Sequence, residues 1–371
     1  MDIEVCLITS EYPPVVGGIA SHVAELARVM ASQVRGVRVV HAGGDGPRRA
    51  VEPSGVVVER PALVRAQPFY TVQLRVWLRR HAAEADILHV HGVRPLAATA
   101  GLASPTVFTN HSSGFLKRLE ADPARRRRTA RMMAHVSRLI APSDELVEAA
   151  RALGYGGPAQ MIPNGVDVER FSPGGSAARA AWGVGAEEVV VLLARRLAPK
   201  NGVVDFARAL AHLKALPFRV VVAGDGVERE AMTAILREAG LLERVSFLGA
   251  VANTAMPALY RAADLSVLPS LMEATSVAGL EAMACGLPLV GTRVGGIPAI
   301  VDEGETGLLA PPADPPALAR ALARLIDDRD LRLRMGAAAR RKVEAEFAWP
   351  IIARRTLAVY NACLDDKKSR S

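Results

Sequence analysis

The chain is poor in cysteine: Cys6, Cys285 and Cys363 are the three in 371 residues, and they lie far apart. An odd number with no Cys-x-x-Cys pair argues against a disulfide framework and against a cysteine-built zinc site. It fits a reducing compartment best. Aromatic residues make up only 4% of the chain. The core must therefore be aliphatic, and the interleaved rings on which a single-stranded nucleic acid would stack are missing. No apolar run approaches the ~20 residues that span a bilayer. The opening MDIEVCLITS carries acids where a signal peptide carries lysine or arginine. The expectation is a cytoplasmic protein without a membrane span.

Several phosphate-binding signatures are missing as well. There is no Gly-Lys-Ser/Thr of a Walker loop and no Gly-x-Gly-x-x-Gly fingerprint, which weakens a dinucleotide reading. No Asp-x-Asp sits at a strand end, so a metal is not expected at the reacting phosphate. Asp328–Arg329–Asp330 lies in a helical stretch and reads as a solvated helix junction.

Half of the residues are hydrophobic, 23% are charged and the net charge is +8. That balance describes a folded protein with an anionic partner: phosphate-bearing substrates, a membrane surface or nucleic acid. Between Lys117 and Arg138 stand eight basic residues and two acids, including the run Arg125–Arg128. The segment Arg125–Arg131 reads either as a solvated basic helix or as a peripheral contact with an anionic membrane, with Phe115–Leu116 and Met132–Met133 suited to shallow insertion.

Short apolar runs alternate with amphipathic segments. In the first half the strand candidates are Glu4–Thr9, Val37–His41, Val56–Glu59, Ile87–Val90, Thr106–Thr109 and Arg138–Ala141. A turn-rich stretch from Pro163 to Ser176 interrupts the pattern, and a second alternation begins at Val189–Ala194. After Leu308 the chain reads as helical. Strand–helix alternation indicates βαβ units and parallel sheets. The expected organisation is a Rossmann-like domain over 1–172, a second over 173–345, and a terminal helical segment over 346–371 that returns to the first domain. Ligands of open parallel sheets bind at the carboxyl ends of strands, so a cleft between two such edges is the expected site.

Three strings carry chemistry. In YPPVVGGIASHVAEL, Gly17 and Gly18 follow a strand and precede a helix. Glycine permits close backbone approach, and a helix N-terminus favours an anion. In LLARRLAPKNG a strand ends in Arg195 and Arg196 with Lys200 beyond; a guanidinium fork and an ammonium point charge suit a diphosphate. In PSLMEATSVAGLEAMACGLPLVGTRVGGIPAIV, Glu273 and Glu281 stand eight apart, and carboxylates accept hydrogen bonds from sugar hydroxyls.

These strings, together with LHVHG at 88–92, TNH at 109–111, IPNGVDVERF at 162–171, GDG at 224–226 and FLGAV at 247–251, keep one order. In that order the chain resembles the retaining glycosyltransferases of family 4, in a subgroup with RRLxxKNG and EATS. The resemblance covers nearly the whole chain. It implies the GT-B fold, two facing Rossmann-like domains, and no cofactor beyond the donor substrate. It also implies roles. Gly17 and Gly18 would approach the donor phosphates. Arg196 and Lys200 would hold the diphosphate and stabilise it as it leaves. Glu273 would contact the transferred sugar, and Glu281 the ribose. His111 would sit near the reacting carbon. Backbone at Gly249–Val251 would face the base, and Ser276 and Val277 would lie near phosphates and sugar. Arg195, rather than Arg196, has the family's spacing from Lys200, which leaves open which arginine points inward. Ala274–Thr275–Ser276 and Ala299 depart from the commoner residues of the family.

The function implied is transfer of a hexose-type sugar from a nucleoside diphosphate sugar, UDP-sugar on family frequency, to a hydroxyl acceptor: a glycan, a glycolipid or a small natural product. Two other readings stay open: a GDP-mannose-dependent mannosyltransferase acting on a lipid-linked acceptor, and a GT-B nucleotide-sugar epimerase. Nucleic acid is not an expected partner.

Overall fold

A computed structural model describes residues 1–15, 17–41, 47–111, 123–185 and 188–369. Lys117 and the pair Phe115–Leu116 lie outside the described residues. The chain divides into two compact units, Met1–Asn164 with Trp349–Ser371, and Gly165–Ala348.

The first unit begins with β1 (Glu4–Thr9), α1 (Gly18–Met30), β2 (Gly36–His41), β3 (Arg49–Val51), β4 (Val57–Glu59) and α2 (Phe69–His81). It continues with β5 (Ile87–His91), α3 (Val93–Leu96), β6 (Thr106–Thr109), α4 (Pro123–Met133), β7 (Val136–Ala141), α5 (Asp144–Ala152) and β8 (Ala159–Met161). Eight strands form one sheet in the order β3-β4-β2-β1-β5-β6-β7-β8. All pairs are parallel except β3 with β4. The central strands β1 and β5 are buried almost end to end, as strands covered on both faces must be.

The second unit holds α6 (Ala178–Ala181), β9 (Val189–Leu193), α7 (Val203–Ala211), β10 (Phe218–Ala223), α8 (Arg229–Glu238), β11 (Val245–Gly249), α9 (Met256–Ala262) and β12 (Leu265–Leu268). Then come α10 (Val277–Ala284), β13 (Leu289–Thr292), α11 (Ile297–Ile300), β14 (Gly307–Ala310), α12 (Pro315–Asp327) and α13 (Arg329–Glu346). Its six strands run in parallel in the order β11-β10-β9-β12-β13-β14. The two-residue period of a strand is visible in its core. Val189, Val191 and Leu193 of β9 enter one apolar cluster, while Val190 and Leu192 enter the cluster on the other face.

The division falls at Asn164/Gly165, near the start of the turn-rich stretch rather than at 172. The Val166 N–H donates to the Phe347 carbonyl, and Val166 and Phe171 sit in the core of the second unit. From Gly165 onward the turn-rich stretch is thus tied to that unit. The last helix, α14 (Trp349–Lys368), belongs to the first unit. Its Ile352, Ala353, Leu357, Tyr360 and Cys363 share one cluster with Val5, Leu7, Val23 and Met30, and the Tyr360 hydroxyl lies 2.6 Å from His89 Nδ1. All three cysteines are free and buried. Asp328 caps α13 by accepting the Leu331 N–H at 2.8 Å, which gives the Asp-Arg-Asp triplet a structural task. Met133 is buried, which corrects the expectation that Met132–Met133 is available for insertion into a membrane.

Candidate functional site

In the second unit the basic loop follows β9, and close backbone packing shapes it. Three glycines leave no room for a side chain. A Cβ at Gly202 would lie 1.8 Å from the Pro269 carbonyl oxygen, one at Gly224 1.8 Å from that of Arg195, and one at Gly226 2.2 Å from that of Leu197. Gly202 also has a φ of 65°, in the left-handed region that favours glycine. The Lys200 carbonyl accepts from the N–H groups of Leu271 and Met272. The basic loop, the Gly224–Gly226 loop and the loop carrying Glu273 are therefore stitched through their backbones.

The two arginines diverge. Arg195 is mostly buried: its guanidinium donates to Ser270 Oγ, to Asn201 Oδ1 at 3.1 Å and to Glu273 Oε2. The side chains of Arg195 and Glu273 are 10% and 13% exposed, so this pair is screened from water. Arg196 is exposed, and so is Lys200. Neither cationic group has an acid partner among the described residues. The Glu273 oxygen not held by Arg195, Oε1, takes no hydrogen bond among them either.

Two cavities adjoin this loop. One, of about 320 Å³, is lined by Arg195, Arg196, Lys200, Glu273, Ser276 and Val277 among others. The other, of about 340 Å³, is lined by Arg195, Arg196, Val251, Tyr260 and Glu281 among others. Arg195 and Arg196 line both. Helix α10 begins at the first cavity. Ser276 caps it by accepting the Gly279 N–H at 3.1 Å, which leaves the N–H groups of the first turn facing outward with the positive end of the helix dipole. Gly249 ends β11 with a φ of 69°, and nothing lies within 4 Å of where its Cβ would be.

Glu281 is 7% exposed. Burial pushes its carboxyl up to about 7, against the Tyr260 hydroxyl, which donates to Oε2 at 3.0 Å and favours the ionised form. The site thus holds a carboxyl poised between its two forms near neutrality, a state common where buried acids serve ligands.

The expected residues of the first unit form a second group. Gly17 is the N-cap of α1 with an extended backbone (φ −179°), and Gly18 opens the helix. The fold requires neither glycine. A Cβ at Gly18 would meet nothing within 4 Å, and one at Gly17 only the flexible end of Glu11. His111 follows β6 and meets His22 of α1 edge-on, with 4.4 Å between ring centroids. His111 Nε2 lies 2.8 Å from His91 Nδ1 at the end of β5. His22 Nδ1 is 2.9 Å from Asn164 Oδ1. Burial holds the His22 ring down at about 4, and it holds His91 and His111 well below the ordinary histidine range. All three are neutral at pH 7.

The structure gathers Arg196, Lys200, Glu273, Ser276 and Val277 around one cavity, and Val251 and Glu281 with Arg196 around the next. It gathers His111 with α1, whose N-terminus carries Gly17 and Gly18. Sequence reasoning did not single out Arg195 as the partner of Glu273, nor Asn201, Tyr260, His22 and His91. His22 had a signal: it lies one helical turn after Gly18, on the buried face of α1.

This architecture is the GT-B fold. Sucrose-phosphate synthase from Thermosynechococcus elongatus matches it with a TM-score of 0.82, over 98% of this chain and 100% of that one, at 23% identity. The model of Glycosyltransferase Family 4 matches residues 16–170, and that of Glycosyl transferases group 1 matches residues 176–342. The D-inositol 3-phosphate glycosyltransferase of Kribbella flavida is 32% identical over 80% of this chain and 76% of its own length. The GDP-mannose-dependent alpha-(1-6)-phosphatidylinositol monomannoside mannosyltransferase of Mycobacterium tuberculosis is 29% identical over 94% of this chain and 96% of its own. The chain belongs to glycosyltransferase family 4 and is a glycosyltransferase.

Proposed function

We propose that this glycosyltransferase moves a hexose-type sugar from a nucleoside diphosphate sugar, a UDP-sugar, to a hydroxyl acceptor with retention at the anomeric carbon. The observation that carries the reading is the pair of exposed cations, Arg196 and Lys200, without an acid partner among the described residues, at a cavity that also holds Glu273 and the start of α10. Cleaving the anomeric C–O bond places negative charge on the departing diphosphate. Cations fixed in advance stabilise that charge in the transition state without reorganising. The dipole of α10 adds to them. Ser276 and Val277 lie beside the phosphates, and Gly17 and Gly18 are assigned to the same group.

Glu281 accepts the ribose hydroxyls in its ionised form, with Tyr260 holding the carboxylate in place. Backbone at Gly249–Val251 faces the base. Glu273, oriented by Arg195, offers its other oxygen to hydroxyls of the transferred sugar. His111, neutral, supports the sugar where positive charge develops. Retention follows if the acceptor oxygen attacks from the face that the phosphate leaves. The acceptor C–O bond forms as the phosphate C–O bond breaks, and the acceptor proton passes to the departing phosphate oxygen. No metal is required, because the side-chain cations already neutralise the leaving group. A cytoplasmic setting, peripheral at the inner face of the membrane, accompanies this reading.

One observation favours a second donor. The Mycobacterium tuberculosis relative is named for GDP-mannose and a phosphatidylinositol monomannoside, and the exposed arginines of α4 would suit an anionic lipid acceptor. Calorimetric titration of UDP, GDP and ADP decides between the donors. The expected result is one preferred nucleotide, UDP, whose affinity falls at least tenfold in Glu281→Ala. Preference for GDP installs the mannosyl reading. If none of the three binds, the donor site is misplaced.

A further inference from the structure

The three histidines of the first unit offer a chemistry that sugar transfer does not use. One ring nitrogen each of His22, His91 and His111 can be chosen so that all lie within 4.8 Å of one another. They come from three separate elements: α1, the end of β5 and the segment after β6. No lysine, arginine or carboxylate is part of the group. We propose that His22, His91 and His111 form a binding site for a borderline-soft divalent transition metal ion, Zn²⁺, Ni²⁺ or Cu²⁺, which inhibits the enzyme.

Three features support a site rather than a chance cluster. First, the ligand set is right for the class: imidazole nitrogens suit zinc, nickel and copper, whereas magnesium and calcium require oxygen. Second, part of the outer shell is built. Asn164 Oδ1 accepts from His22 Nδ1–H at 2.9 Å, which leaves the Nε2 lone pair of His22 as the ligand. A ligating histidine is commonly oriented in this way by a carbonyl or carboxylate on its other nitrogen. Third, two of the nitrogens already converge: His91 Nδ1 and His111 Nε2 face each other at 2.8 Å.

Three imidazoles leave a fourth position for water or a substrate oxygen, as in open zinc sites. His111 is only partly buried and supplies the path from solvent. The required movement is small. Zinc–nitrogen bonds of ~2.0–2.1 Å place tetrahedral ligand atoms about 3.4 Å apart. The widest pair, at most 4.8 Å apart, must then close by up to about 1.4 Å, and the His91–His111 pair, now at 2.8 Å, must open slightly. The proton shared by that pair moves to an outer ring nitrogen, so the rings stay neutral and no proton is lost.

Binding itself does not depend on the proposed function. Inhibition does: it rests on the reading that His111 serves the transferred sugar, because the ion takes the nitrogen that His111 would otherwise present.

Trp349 makes the site observable, since its ring lies edge-on to His22 at 5.2 Å. Untagged protein titrated with Cu²⁺ or Ni²⁺ should lose tryptophan fluorescence with a stoichiometry of one. Zn²⁺ should compete for the site, and a hundredfold excess of Mg²⁺ should not. Trp349→Phe should abolish most of the response. His22→Gln and His91→Ala should each weaken binding at least tenfold, while His81→Ala, an exposed histidine on α2, should not change it. Circular dichroism of each variant verifies that it is folded, and His22→Gln preserves a polar group should His22→Ala unfold. Saturable binding unaffected by both His22→Gln and His91→Ala, or no binding below millimolar metal, overturns the site. Quenching with unchanged transfer activity leaves the site standing and overturns the role given to His111.

Discussion

Arg195 and Arg196 are adjacent and chemically identical, yet the structure gives them opposite tasks. Arg195 is locked to Glu273, Ser270 and Asn201. Arg196 is exposed at both cavities. Arg195→Ala leaves Glu273 as a screened charge without its partner, and breaking such a pair costs about 3 kcal/mol. Chemical denaturation should show that loss. Arg196→Ala should change stability by less than ~0.5 kcal/mol and instead lower kcat/KM by ~10²-fold or more, the usual effect of removing a preorganised group that stabilises transition-state charge. If Arg196→Ala unfolds the protein and Arg195→Ala turns over normally, the assignment is reversed. The glycines allow a similar separation. Gly202→Ala drives a Cβ to 1.8 Å from Pro269 O and should destabilise by at least ~2 kcal/mol. Gly18→Ala meets empty space, so its thermal midpoint should hold while nucleotide-sugar turnover falls. The sequence shows Arg195, Arg196 and Lys200 together in the segment after one strand. It does not show which arginine is free, because that depends on Ser270 and Glu273, some 75 residues further along the chain.

At the scale of elements, α4 presents Arg125, Arg126, Arg127, Arg128 and Arg131 outward, with Thr129 and Met133 as its buried residues. Helix α2 adds exposed Phe69, Val72 and Val76, three residues at helical spacing with Arg79 and Arg80 close behind. A membrane contact predicts cosedimentation with anionic but not zwitterionic vesicles. Replacing Arg125–Arg128 with glutamine should weaken it by orders of magnitude at low salt, at about 1 kcal/mol for each arginine near the surface. Equal retention of the wild type and the variant would make α4 a solvated helix. The long apolar strands, β1, β5, β9 and β10, are legible because a strand covered on both faces needs an unbroken aliphatic run. Strands β3, β8 and β14 are not. They are three or four residues long, Arg49–Val51 is largely exposed, and Gly307–Ala310 opens on a glycine whose Cβ would lie 2.1 Å from Leu289 O. Their pairing is fixed by neighbours in space. The basic loop is legible because it directly follows the apolar run of β9. The histidine group was harder to read: its members come from strand ends 20 residues apart and from the buried face of a helix.

At the scale of the molecule, the two units carry opposite proton linkages. In the first unit, burial holds His22 at about 4 and His89 at about 3 in the folded state, against ~6.5 in an unfolded chain. The unfolded state therefore binds more protons below pH 6.5. Their stabilising contribution is complete above that value and is lost as pH falls toward the folded values. His22 alone accounts for up to ~3 kcal/mol of this. In the second unit, burial holds Glu281 at about 7, against an unfolded value of ~4.3. Here the folded state binds the extra proton. Stability is greatest below pH ~4.3 and declines as pH rises through 7, again by up to ~3 kcal/mol. Acidification from pH 7 to 5 should thus weaken the first unit and strengthen the second. Single-tryptophan variants can follow each unit, with Trp77 reporting the first and Trp182 the second. Their thermal midpoints should move in opposite directions over this range. Glu281→Gln should flatten the Trp182 profile and leave the Trp77 profile unchanged. Occupancy of the donor site should reverse the Glu281 effect, because ribose hydroxyls favour the ionised carboxylate. Affinity for a nucleoside diphosphate sugar, which has no phosphate group titrating near neutrality, should then rise from pH 6 to 8, and this rise should disappear in Glu281→Gln. A donor affinity indifferent to pH in the wild type would remove Glu281 from the ribose site while leaving its stability linkage intact.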